Sequence, residues 1–96
     1  MKLINIGIAG CLGRMGKELV RKSINDSRTN FVGGFERKTH ELINKNISEI
    51  LNCETNHIVS DNPEEVFINS DVIIDFTVPE CSLANIEFAE KTRTPL

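Results

Sequence analysis

Three short stretches hold the residues whose types and spacing could do chemistry: Gly10-Cys11-Leu12-Gly13-Arg14-Met15-Gly16, then Glu36-Arg37-Lys38, then Asp75-Phe76-Thr77-Val78-Pro79-Glu80. A glycine loop that opens a helix points backbone N–H groups and the positive end of the helix dipole at one spot, which suits a phosphate. A carboxylate accepts hydrogen bonds from sugar hydroxyls, and an arginine pairs with phosphate.

The glycine spacing separates two kinds of phosphate ligand. A triphosphate-binding loop needs Gly, four residues, then Gly-Lys-Ser/Thr, whereas here Cys11 stands at the first glycine position and Glu18 at the metal-binding hydroxyl. The strict dinucleotide pattern Gly-x-Gly-x-x-Gly is not met either. What stands here is Gly-x-x-Gly-x-x-Gly, a longer variant of that turn. One glycine permits the bend, one lets backbone approach a pyrophosphate, and one lets the helix pack on the sheet. The plainer reading of the stretch is a tight strand-to-helix turn with no ligand, in which Arg14 is a solvated arginine.

Glu36 lies twenty positions beyond Gly16, where an acidic residue at the end of a second strand accepts from the adenosine ribose. Arg37 follows at once, and a cation there can pair with the 2′-phosphate of NADP, so Glu36 favours NAD and Arg37 favours NADP. The third stretch could border the nicotinamide half. Within it Thr77 reads as a helix cap and Asp75 as a partly buried, hydrogen-bonded carboxylate with nothing nearby to mark it as an acid or base. Cys11 reads as a small residue that fits the turn; the alternative is a reactive thiol whose pKa a helix N-terminus depresses. His40 and His57 receive no function. Cys11, Cys53 and Cys81 form no Cys-x-x-Cys pair and have no His at metal-ligand spacing, so neither a disulfide framework nor a metal site is expected.

The elements that position these stretches follow from periodicity. Leu3 to Ala9 reads as a buried strand. Met15, Leu19, Val20, Ser23 and Ile24 recur at helical spacing for about three turns, and Asn30 to Phe35 reads as a second strand. Strand, turn, helix and strand make one βαβ unit. A short helix is expected near Ile47 to Leu51, a strand at His57-Ile58-Val59, and a helix from Pro63 to about Asn69 opened by a capping box of Asn62 and Glu65. Asp71 to Phe76 has the continuous apolar centre of a parallel strand buried on both faces. A second box, Thr77 with Glu80, starts a helix through Leu83, Ile86 and Phe88 to about Lys91. The expectation is therefore an α/β fold, a Rossmann-like doubly wound parallel sheet truncated after about four strands, with any ligand beyond the strands' carboxyl ends at a switch point.

Composition agrees with one such domain over residues 1–96. Of the 96 residues 40% are apolar and 26% charged, as in soluble globular proteins. A net charge of −3 argues against non-specific nucleic-acid binding, and no stretch has the length of a membrane span. With no signal-peptide pattern at the start, the cytoplasm is the expected compartment. Thr92 to Leu96 reads as a helix exit into a strand that stops as it begins, which suggests an amino-terminal piece of a longer protein.

Ile8 to Gly16, Gly34-Phe35-Glu36-Arg37 and Ile74 to Glu80 together resemble the amino-terminal domain of the 4-hydroxy-tetrahydrodipicolinate reductases, also called dihydrodipicolinate reductases. The resemblance implies an NADH- or NADPH-dependent oxidoreductase of the diaminopimelate and lysine pathway, cytoplasmic and tetrameric. It implies that Gly10, Cys11, Leu12, Gly13, Arg14 and Met15 hold the pyrophosphate, Glu36 the ribose and Arg37 the 2′-phosphate, with Phe76 and Thr77 toward the nicotinamide. Some members carry a basic residue where this chain has Val78, so no cation contact is carried over there. The family's Gly-Thr-Thr-Gly loop and its catalytic His-His-x-x-Lys stretch are absent, so no catalytic residue is named and the chain is expected not to reduce substrate alone. The alternatives are the cofactor domain of another amino-acid or sugar dehydrogenase, and a non-enzymatic NAD(H)-binding module.

Overall fold

The computed structural model describes residues 3–75 and 79–95. Four strands, β1 (Ile4–Ala9), β2 (Thr29–Phe35), β3 (Val59–Ser60) and β4 (Val72–Asp75), form one all-parallel sheet in the order β3-β2-β1-β4. Four helices, α1 (Arg14–Asn25), α2 (Ile47–Leu51), α3 (Pro63–Asn69) and α4 (Pro79–Thr92), connect and cover them. The direction of winding reverses at β1, because β2 and β3 lie on one side of it and β4 on the other.

Each face of the sheet carries its own core. Ile8, Cys11, Val20, Phe31, Ile47, Leu51 and Val59 pack on the α1 and α2 side. Ala9, Phe35, Val66, Phe67 and Ile73 pack on the other, under α3. Phe31 and Phe35 are four residues apart, and strict alternation would put both on one face. A bulge separates them: Ile6 pairs with Phe31 but Gly7 pairs with Gly33, so Val32 is an extra residue and the side-chain parity flips. One aromatic ring is thereby delivered to each core.

Several expectations shift by one contact. Met15, placed on the inner face of α1 by periodicity, is 58% exposed; Gly16, Val20 and Ser23 are the buried positions. The glycine carries no Cβ, so the first turn of the helix can sit directly on the turn at Gly10 and Cys11. The third strand falls at Val59–Ser60, the two positions that pair with β2, because Ile58 makes an antiparallel bridge to Asn46 instead: Ile47 N donates to the His57 carbonyl at 3.1 Å and Val59 N to that of Lys45 at 2.9 Å. The box at α3 is half formed. Asn62 Oδ1 accepts from Glu65 N, while Asn62 N donates to Ser60 Oγ at 2.9 Å. β4 has the composition of an interior strand but ends the sheet order, and Val72 and Ile74 are only half-buried beside a fully buried Ile73. In α4, Ile86 is 44% exposed, and Asn85 is the buried neighbour. The expected cap at Thr77 lies outside the described residues.

Candidate cofactor site

Strand register brings the three chemistry-bearing stretches together. Ala9, the last residue of β1, pairs with Phe35 on one side and Asp75 on the other, so all three strands end at the same level. Gly10 N then donates to the Phe35 carbonyl at 3.0 Å and the chain turns with Gly10 at φ 73°, a left-handed conformation that glycine adopts without steric cost. Gly13 N closes the turn on the Gly10 carbonyl at 3.1 Å.

Helix α1 starts immediately. Gly13 is its N-cap residue, no side chain caps it, and no acidic residue lies in its first turn. Lys17 N donates to the Gly13 carbonyl at 2.9 Å, while the N–H groups of Arg14, Met15 and Gly16 precede the first bond of the helical ladder. Twelve residues of helix thus present an uncapped positive end at the mouth formed by the three strands.

Glu36 is half-buried, with its N–H donated to the Ser60 carbonyl at 3.0 Å and its Oε2 accepting from Leu12 N at 2.8 Å. The carboxylate therefore stands at the glycine turn itself, fixed by one oxygen. Arg14 and Arg37 are exposed and, among the described residues, in no ion pair, so both are free to meet a phosphate. Asp75 accepts from Asn85 Nδ2 at 3.0 Å. Phe76 and Thr77, the residues expected at the nicotinamide end, lie outside the described residues.

Cys11 is not a reactive thiol. Its side chain is fully buried and points at Gly34, where an added Cβ would come within 2.6 Å of Cys11 Cβ. Burial, with the Glu36 charge second, pushes the thiol up to about 12. Cys11 and the half-buried Leu12 both pack with the α1-side core, so their backbones, not their side chains, form the turn. No group of three His, Cys, Asp or Glu side chains among the described residues could hold a metal ion.

Two contacts had no signature in the residue pattern. The Leu12–Glu36 bond joins a backbone amide to a side chain 24 positions away. The Asp75–Asn85 bond uses an asparagine on a helix where the apolar spacing singles out its neighbour Ile86.

The family model described as dihydrodipicolinate reductase, N-terminus, matches residues 4–96. The chain belongs to the dihydrodipicolinate reductase family. A 4-hydroxy-tetrahydrodipicolinate reductase of Anaplasma marginale (strain St. Maries) is 37% identical over 93 residues, covering 97% of this chain and 36% of that protein. The Pelagibacter ubique (strain HTCC1062) reductase is 40% identical over 93 residues, covering 97% of this chain and 32% of its own length. Among solved structures, the dipicolinate-bound dihydrodipicolinate reductase of Paenisporosarcina sp. TG-14 superposes with a TM-score of 0.69 at 24% identity, over 97% of this chain and 36% of that one, and so shares its fold. The chain spans about a third of the length of these relatives and corresponds to the amino-terminal domain of an oxidoreductase family built on a Rossmann-like, dinucleotide-binding sheet.

Proposed function

We propose that residues 1–96 are the NAD(P)H-binding domain of a reductase acting on 4-hydroxy-tetrahydrodipicolinate, in the route to diaminopimelate and lysine. The observation that carries this reading is the convergence, at one mouth, of the uncapped α1 N-terminus and a Glu36 carboxylate already oriented by Leu12 N. In it Gly10 to Met15 hold the pyrophosphate, with backbone N–H groups as donors and Arg14 as counter-charge. The second oxygen of Glu36 accepts from the adenosine ribose, and Arg37 meets the 2′-phosphate of NADPH. Phe76 and Thr77 line the nicotinamide end. The bound cofactor supplies hydride; this domain's residues bind and orient it.

The catalytic acid–base groups and the substrate pocket belong to the rest of a full-length enzyme, which is cytoplasmic and assembles as a tetramer. Hydride transfer needs the acceptor held in near-attack geometry, so this domain binds dinucleotide without turning substrate over. Titration calorimetry of the 96-residue chain with NADH and NADPH, alongside a turnover assay with substrate, tests both halves. Saturable binding of at least one cofactor without turnover is expected. No binding of either, or measurable turnover, overturns the reading.

A further inference from the structure

We propose that Asn85 is a positioning residue for the nicotinamide side of the crevice, acting through Asp75. The inference rests on the dinucleotide reading above and deepens it. The adenosine end is read by Glu36 at the end of β2, and the pyrophosphate lies over α1 after β1. The remaining end of the cofactor must then lie on the other side of β1, where β4 stops.

Asp75 is the last residue of β4 and sits beside Ala9 in register, at the level where β1 and β4 part. Its Oδ2 accepts from Nδ2 of Asn85, which is only 3% exposed. A buried primary amide is tolerated only when its hydrogen bonds are made, and an aliphatic residue would pack there at lower cost. The amide is therefore present for its bond, and a carboxylate acceptor makes that bond strong and directional. The two partners are ten positions apart, and the chain between them contains the whole link 76–78 and the start of α4. The bond ties the end of β4 to the body of α4 and limits how far the two can separate. In a doubly wound sheet the ligand lies beyond the carboxyl ends of the strands, which is where β4 stops and this bond is made.

The test compares ligands that differ at one end. The 96-residue chain, Asn85→Asp, Asn85→Leu and the exchange Asp75→Asn/Asn85→Asp are titrated with NADH and with ADP-ribose, which lacks the nicotinamide; circular dichroism verifies folding. Both single variants are expected to weaken NADH about five- to tenfold while leaving ADP-ribose within about twofold. The exchange, which restores a donor opposite an acceptor, recovers NADH affinity. Should Asn85→Asp not fold, Asn85→Leu carries the comparison. Equal loss for both ligands, no loss for NADH, or loss without recovery in the exchange overturns the inference. A wild-type chain that binds neither ligand rejects the dinucleotide reading instead.

Discussion

Glu36 Oε2 accepts a hydrogen bond from Leu12 N at 2.8 Å, so the residue placed to read a ribose also braces the turn placed to hold a pyrophosphate. The two roles can be separated by substitution. Glu36→Gln keeps a carbonyl oxygen for Leu12 N, whereas Glu36→Ala leaves that amide without its partner. A hydrogen bond to a charged group contributes about 1.5 to 3 kcal/mol, and a domain of this size loses several degrees of Tm per kcal/mol. Glu36→Ala should therefore lower Tm clearly and Glu36→Gln by much less, while both weaken NADH about tenfold or more in calorimetry. An unchanged Tm in Glu36→Ala would mean the brace contributes nothing.

Arg37 is exposed and in no ion pair among the described residues, so removing it strips no internal partner. Arg37→Ala should leave Tm unchanged and weaken NADPH about tenfold, the loss of one charge-assisted pair, with NADH affected less than about twofold. If NADH suffers equally, Arg37 does not read the 2′-phosphate.

Burial has a consequence for Cys11 that the turn's position hides. A helix N-terminus by itself would depress a thiol pKa, but desolvation opposes the charge and the thiol is pushed up to about 12 from its ordinary value of 9.0. The folded state thus holds this proton more tightly than the unfolded chain. The stability it contributes is complete below about pH 9 and is lost as pH rises toward about 12, at no more than about 1.4 kcal/mol per pH unit. In denaturation series between pH 9 and 11, the wild type should lose stability more steeply than Cys11→Ala. At pH 8, iodoacetamide with peptide mapping should modify the half-buried Cys53 well before Cys11. Early labelling of Cys11 in the folded chain would contradict the burial argument.

Order of elements and the level of the strand ends were legible because they rest on local pattern: the apolar run before Gly10, the period of α1, and the distance from Gly16 to Glu36. Contacts between distant segments were not. Nothing in Phe31-Val32-Gly33-Gly34-Phe35 announces a bulge, because it is set by how β1 pairs with β2. Nothing in the helical spacing prefers Asn85 to Ile86, because the inward face of α4 follows from its approach to Asp75. The Leu12 amide has no side-chain signature at all. The site was readable as three addresses, and its internal bonds only as geometry.

Two positions with positive φ should respond to substitution in opposite directions. Gly10 at φ 73° begins the turn, and a Cβ there meets the steric penalty of the left-handed region, about 1 to 2 kcal/mol. Gly10→Ala should lower Tm and, by moving the donors of the turn, weaken NADH. Arg93 carries that same penalty already, at φ 58°, just after the end of α4, where Thr94 N donates back to the Ala89 carbonyl at 3.0 Å in the 6→1 pattern of a Schellman cap. Glycine is the favoured residue at that position, and Arg93 is exposed. Arg93→Gly should therefore raise stability by about 0.5 to 1 kcal/mol in urea denaturation, the relief of strain outweighing the added freedom of the unfolded chain. Dinucleotide affinity should stay unchanged, because the substitution lies at the far end of α4 from the glycine turn. A loss of stability in Arg93→Gly would mean that the arginine side chain contributes more there than its backbone strain costs.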